Sequence, residues 1–258
     1  MQSIFSKAEE IKNGQRLAAV CIVIETKGST PRKEGSKMIV FEDGSIFGSI
    51  GGGSVEKEVA EKAVGQISSG KPAKYSFQLE NDLEMHCGGF MEVYIEPINP
   101  SQKLYIFGGG HIGKVLAHFA REFDFKISVF DPREGIFDAP EFTSCSCIMK
   151  DYFQAIEEAV FDENTYIVIV TPKHIYDEEI LLKVARKPHA YLGMLGSRMK
   201  VEIARKRFLD DGLLTAEEID TIDMPIGIKF KAQTPQEIAI SILARLIDVR
   251  NTVMNSLS

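Results

Sequence analysis

With 258 residues, 44% of them hydrophobic and 26% charged, the chain has the composition of a soluble globular protein of two modest domains or one large one. Its net charge of −7 argues against general binding to nucleic acid or to an anionic membrane surface. No apolar run reaches the length of a membrane span and the opening MQSIFSKAEEIKNGQ lacks a signal-peptide core. Cys21, Cys87, Cys145 and Cys147 show neither a C-x-x-C nor zinc-ligand spacing, so a cytoplasmic location is expected.

Phe5, Ala8, Ile11 and Lys12 suit a short amphipathic helix, and Leu17 to Thr26 is a β-prone run with Cys21 expected in the core. A loop follows at Gly28-Ser29-Thr30-Pro31-Arg32-Lys33-Glu34-Gly35. Lys37 to Phe41 and Ser45 to Ile50 then read as two strands joined at Asp43-Gly44. The second strand runs into Gly51-Gly52-Gly53-Ser54, beyond which Val55, Val59, Ala60, Ala63, Val64 and Ile67 line one helix face. A triple glycine opening onto a helix suits an anion cradle, with Ser54 as N-cap, Glu56 in the first turn and Arg32 folding over it. It equally suits a plain strand-to-helix connection.

Ala73 to Leu79 alternates as a strand, and an acidic loop leads to Met85-His86-Cys87-Gly88-Gly89 and a strand from Phe90 to Glu96. A thiol beside Gly-Gly and a histidine suits a metal or cofactor ligand or a sulfur carrier, although a buried, inert cysteine is the commoner outcome. The polar link Ile98 to Gln102 sets a boundary between an N-terminal domain over 1–100 and a C-terminal domain over 101–258.

The C-terminal domain opens on the most informative stretch of the chain. Leu104 to Phe107 is a short buried-strand run. Gly108, Gly110 and Gly113 satisfy G-x-G-x-x-G with His111 among them, and Val115, Leu116, Phe119 and Ala120 recur at helical spacing. Ile127 to Phe130 forms the next strand and ends on Asp131, roughly the twenty residues downstream at which a ribose-binding acid is expected. In such a unit the glycines allow a tight turn, close approach of a pyrophosphate and close helix packing, and the helix N-terminus faces the phosphates. Strands and helices continue to alternate, so the fold class is α/β: a Rossmann-like, doubly wound parallel sheet preceded by a smaller α+β domain.

Ser144 to Met149 reads as the third strand, with Cys145 and Cys147 on one side and packed in the core. Tyr152 to Val160 reads as a helix and Tyr166 to Val170 as a strand. Thr171, Lys173, His174 and Asp177 lie just beyond it, where the ligand crevice of an open parallel sheet is found. There His174 is either an acid/base or cofactor contact, or a cap for the next helix. Ala190 to Leu195 ends in Gly196-Ser197-Arg198, a second anion site at the same crevice. Thr234-Pro235-Gln236-Glu237 has the spacing of a capping box before a long helix carrying Ile238, Ile242, Leu246 and Val249.

GSTPRKEGSKMIV, GSIGGGSVEKEV, CGGFMEVYIEP, FGGGHIG, YLGMLGSRMK and PIGI followed by TPQEIAISILARLI together resemble the XdhC/CoxI family of xanthine dehydrogenase accessory factors. The resemblance implies a cytoplasmic chaperone of purine catabolism. Such a chaperone binds the molybdenum cofactor, as molybdopterin or its cytosine dinucleotide, and delivers it to an apo molybdenum hydroxylase. It implies a cysteine desulfurase and cofactor-synthesis proteins as further partners, and often a homodimer. Gly108, Gly110 and Gly113 match the family's nucleotide loop, Gly51 to Gly53 with Glu56 its N-terminal motif, and Cys87-Gly88-Gly89 its Cys-Gly-Gly motif. Where relatives often carry Cys or His after the triple glycine, this chain has Ser54, which leaves Cys87 as the thiol for molybdenum. Pro172 replaces the first histidine of a Thr-His-x-His-x-x-Asp segment, which weakens a two-histidine model. The competing readings are an NAD(P)-dependent oxidoreductase, favoured by the fingerprint and Asp131, and a non-catalytic nucleotide-sensing subunit of a hydroxylase system.

Overall fold

The computed structural model describes residues 2–14, 16–79 and 89–256. The chain divides into two compact units, the first of residues 1–101 together with the chain end from Met254 and the second running from Gln102 to Val253.

The first unit is built on a five-stranded, wholly antiparallel sheet. Its strands are β1 (Ala18–Lys27), β2 (Lys37–Phe41), β3 (Ile46–Gly48), β4 (Ala73–Leu79) and β5 (Gly89–Ile98), in the order β3-β2-β1-β5-β4. Alternation along the strands sends Cys21, Val23, Met38, Val40, Met91, Val93 and Ile95 to one face, where α2 (Gly53–Ser69) covers them with Val55, Val59 and Ala63. On another cluster α1 (Ile4–Asn13) buries Ile11 against Ala18, Ile39 and Phe41. Cys21 is fully buried, and burial pushes its thiol up to about 12, as an inert core residue requires.

The second unit is the α/β domain read from the sequence. Five parallel strands, β6 (Gln102–Phe107), β7 (Phe125–Phe130), β8 (Ser146–Ile148), β9 (Thr165–Ile169) and β10 (Tyr191–Met194), lie in the order β10-β9-β6-β7-β8. Both faces are covered, which is why the central strands read as continuous apolar runs rather than alternating ones. Leu104 and Ile106 face one layer with α3 (His111–Ala120) and α8 (Pro235–Ser256). Tyr105 and Phe107 face the other, with α4 (Tyr152–Glu158), α5 (His174–Val184), α6 (Arg198–Asp210) and α7 (Ala216–Asp220). The capping box before α8 is present: Glu237 N donates to Thr234 Oγ1, and Thr234 N donates to the Glu237 carboxylate at 3.0 Å. Ile242 and Leu246 from that helix are fully buried in the first layer.

Two expectations about the edge of this sheet are corrected. The third strand is only Ser146–Ile148, and Cys147 is exposed rather than packed in the core, while Cys145 is half-buried ahead of it. A three-residue edge strand has one neighbour, β7, and too little length to carry a second layer over every side chain. Burial still pushes the Cys145 thiol up to about 11. Among the described residues, no helix is long and apolar enough to cross a membrane.

Candidate functional site

The sheet order places β6 between β7 and β9, so the chain departs in opposite directions from the two sides of β6. The carboxyl ends of β6 and β9 therefore open a crevice at the topological switch point. Gly108 N donates to Phe130 O, and Val170 N donates to Phe107 O, each at 2.9 Å, which closes the strand ends around the turn.

The three glycines have separable duties there. Gly108 adopts φ +111°, and a Cβ on it would lie 2.5 Å from Val170 O. At Gly113 a Cβ would lie 1.9 Å from Gly108 O, so the first turn of α3 packs directly on the loop. Gly110 is different: it caps α3 with φ −69°, and the nearest atom to a Cβ there is Arg133 Nη2 at 3.8 Å. Two glycines thus build the loop, and the third leaves its outer side open. A cleft of about 440 Å³ lies on that side, lined by Gly109, Gly110, His111, Lys114, Arg133 and Thr171 among others. Lys114 is paired with Glu141 at 3.6 Å.

Asp131 does not serve in the way its position in the sequence suggests. Its side chain is fully buried, and both oxygens are occupied from within the unit. Oδ2 accepts from Gly109 N at 2.8 Å and from Arg133 Nη2 at 2.7 Å; Oδ1 accepts from Arg133 Nε at 2.8 Å and Arg133 N at 3.1 Å. A carboxylate offers about four lone-pair sites, so none is left for a ribose diol. Burial works to raise this carboxyl, but the Arg133 guanidinium and the backbone N–H groups of Arg133 and Gly109 outweigh it and hold it below its ordinary value. What reaches the cleft is Arg133, whose side chain is 44% exposed. Sequence reasoning missed this residue. The signal was the acid-x-Arg spacing of Asp131 and Arg133, which lets one side chain fold back on the other.

Across the crevice, Asp177 is 1% exposed and accepts from Thr171 N at 2.9 Å and Thr171 Oγ1 at 2.6 Å through Oδ1. Its Oδ2 has His174 Nδ1 at 3.2 Å and no hydrogen-bond partner among the described residues. Burial raises this carboxyl, against the pull of Thr171 and His174. His174 is the first residue of α5, and Lys173 holds the capping position, so the imidazole is not the cap. It stands instead as a half-exposed ring braced by a carboxylate, a pairing suited to proton exchange.

His174 and Asp177 line a smaller cleft of about 230 Å³ with Gly196 and Lys200, and Leu195 borders both clefts. The second anion site expected at Gly196-Ser197-Arg198 is altered in the same place. Ser197 is the N-cap of α6, accepting from Lys200 N, and it is Lys200 rather than Arg198 that lines the cleft. Arg198 is the first residue of the helix and is exposed. Among the described residues, no group of three or more His, Cys, Asp or Glu is placed to hold a metal ion.

In the first unit the loop over residues 28–35 does fold onto the triple glycine, through Pro31: a Cβ on Gly51 would lie 2.5 Å from Pro31 Cγ. Gly89 closes on the same loop, where a Cβ would lie 2.1 Å from Ser29 O. The cradle, however, already holds an anion of its own. Glu56 Oε1 accepts from Ile50 N at 3.0 Å, Gly51 N at 3.1 Å, Gly52 N at 2.8 Å and Ser49 Oγ at 2.6 Å. Burial opposes the charge, but these four donors hold the carboxyl below its ordinary value. Gly52, not Ser54, is the N-cap, because α2 begins at Gly53 with no side-chain cap. Arg32 is exposed on the loop. Cys87, expected as a molybdenum ligand or catalytic thiol, lies outside the described residues, as do Met85, His86 and Gly88.

Comparison with known proteins extends over both units. Residues 104–246 match the family described as the XdhC Rossmann domain, and residues 12–78 match the one described as the XdhC and CoxI family. The chain is 30% identical over 261 residues to the uncharacterized protein YqeB of Escherichia coli, covering 99% of this chain but only 48% of that protein, so it spans about half of that relative's length. It is 20% identical to a probable xanthine dehydrogenase subunit of Bacillus subtilis, over 98% of this chain and 99% of that protein. To the molybdenum cofactor insertion chaperone PaoD of Escherichia coli it is 24% identical, over 90% and 83% respectively. A crystal structure described as a xanthine dehydrogenase from Bacillus halodurans shares the fold, with a TM-score of 0.53 and 22% identity over 97% of this chain and 96% of that one.

Proposed function

The chain belongs to the XdhC and CoxI family, and from that premise we propose that it is a maturation factor that binds molybdenum cofactor and hands it to a xanthine dehydrogenase-type molybdenum hydroxylase. The observation that carries this reading is the extent of the family match, which takes in both units. The name of PaoD, an insertion chaperone for that cofactor, supports the same role.

The cofactor is cargo here. Its phosphate-bearing end takes the cleft at the β6–α3 turn, where Gly110 and the first turn of α3 present N–H groups and Arg133 adds a positive charge. His111 borders that cleft, and Gly196 with Lys200 extends it toward His174. Cys87 supplies a thiolate ligand for molybdenum. The apo-hydroxylase receives the loaded cofactor, and a cysteine desulfurase, cofactor-synthesis proteins and a second copy of the chain complete the proposed assembly.

The test is anaerobic gel filtration of the purified protein mixed with molybdenum cofactor, following molybdenum and pterin in the protein peak. Co-elution, together with activation of an apo-hydroxylase by the loaded protein, is the expected result. Protein that elutes free of both, and that leaves the apo-hydroxylase inactive, refutes the reading. Cys87→Ala, with its fold checked by circular dichroism, is expected to lose molybdenum retention. Unchanged retention would remove Cys87 from the site while leaving the chaperone role intact.

A further inference from the structure

In a dinucleotide-binding crevice the acid at the end of the second strand reads the two hydroxyls of a ribose, and a free carboxylate is what makes this work. Here that carboxylate is absent in function though present in sequence. All its acceptor sites are taken by Gly109 N, Arg133 N and the Arg133 side chain. A ribose diol brought to this position would meet the guanidinium, a group of donors only, and its hydroxyls would lose the acceptor they require.

The guanidinium itself is held in place. Nε and Nη2 are fixed by the buried carboxylate, and the head lies near Gly110, where a Cβ would be 3.8 Å from Nη2. Nη1, and the second N–H of Nη2, have no partner among the described residues. They belong to a side chain that lines the 440 Å³ cleft beside the open side of the glycine loop. An arginine oriented by a carboxylate, with an unused fork of N–H groups beside Gly110 and the N-terminal turn of α3, matches a tetrahedral dianion better than a phosphodiester or a diol.

We propose that the crevice selects ligands carrying a phosphate monoester, with Arg133 as the specificity-determining residue and Asp131 as its positioning residue. This rests on the phosphate-binding role given to the same cleft above. The shared chemistry has two sources: a ribose that carries an extra phosphate on a dinucleotide, or the terminal phosphate of a smaller ester.

The experiment is a calorimetric titration of the full chain with NAD, NADP and AMP. NAD offers only a diphosphate diester and free diols, NADP adds a ribose monoester, and AMP carries a monoester without the second nucleoside. At least one monoester is expected to bind tenfold or more tightly than NAD. Arg133→Ala is expected to abolish the difference, Arg133→Lys to retain part of it as a point charge, and Asp131→Asn to weaken it with Arg133 still present. Preference for NADP over AMP assigns the dinucleotide source, and AMP binding as well as NADP assigns the smaller ester. Equal affinity for NAD and both monoesters overturns the proposal, as does an undiminished preference in Arg133→Ala. No binding of any of the three, in protein that still co-elutes with molybdenum cofactor, also overturns it and leaves the chaperone reading standing.

Discussion

Glu56 offers the sharpest test of the first unit, because one carboxylate oxygen gathers Ser49 Oγ and three consecutive backbone N–H groups. A hydrogen bond to a charged acceptor is worth about 1.5–3 kcal/mol, and a donor left unpaired costs about 1–3 kcal/mol where water cannot replace the partner. Ile50 is fully buried, whereas Gly51, Gly52 and Glu56 are half-buried, so water recovers part of the loss at the glycines. The favourable position of the charge in the first turn of α2 adds a few tenths more, roughly 0.3–1 kcal/mol. Together these give about 2–4 kcal/mol for Glu56→Ala and about 1 kcal/mol for Glu56→Gln, whose amide oxygen keeps an acceptor but not the charge. A chain of two units does not unfold as one step, so the local readout is amide hydrogen exchange at Ile50, Gly51 and Gly52, beside a denaturant melt. The same logic makes a chemical rescue: phosphate, compared with chloride at equal ionic strength, is expected to slow exchange in Glu56→Ala and not in the wild type. If Glu56→Ala melts with the wild type and its three amides exchange no faster, the carboxylate is not what holds this loop.

Three further outcomes follow from the second unit. Gly113→Ala is expected to cost about 3 kcal/mol or more, since its Cβ would fall 1.9 Å from Gly108 O; Gly110→Ala, with φ −69° and 3.8 Å of clearance, is expected to fold normally, and comparing their thermal melts checks both. At Asp177 the buried carboxyl is raised, so its contribution favours the fold at low pH and is lost as pH rises through that raised value. Asp177→Asn keeps the oxygen facing Thr171 and is expected to match or exceed wild-type stability at neutral pH, whereas Asp177→Ala is expected to lose about 1–3 kcal/mol, measured by urea unfolding across pH. Asp131 has the opposite sign. Its lowered carboxyl contributes stability that is complete above the ordinary 3.8 and is lost as pH falls through the lowered value. Asp131→Asn is therefore expected to cost about 2–4 kcal/mol at neutral pH, with the gap to wild type closing in acid; a constant gap across pH would refute the ion-pair account.

Much of this protein is determined by local chemistry and can be read along the chain. The run from Lys103 to Asp131 announces strand, turn, helix and strand because each depends on neighbours a few residues away. The capping box at Thr234 and Glu237 is legible for the same reason, as is the inert Cys21 inside a β-prone run. Even the separate duties of Gly108 and Gly113 follow from spacing, since a tight turn and a close helix contact fix where a side chain cannot fit.

What each charged group does was decided only by tertiary structure. Asp131 stands where a ribose acid stands, yet whether its oxygens are free depends on Gly109 and Arg133, which the fold brings back upon it. Glu56 reads as a first-turn acid, but the loop geometry that aims three N–H groups at one oxygen exists only once β3 and α2 are joined. Cys147 is open because its edge strand has a single neighbour, a fact that no pattern of alternation carries. Hydrophobic period and turn chemistry act over a few residues and so survive in one dimension. Satisfaction of a buried polar group is a sum over every donor that packing brings within reach, and that sum exists only in three.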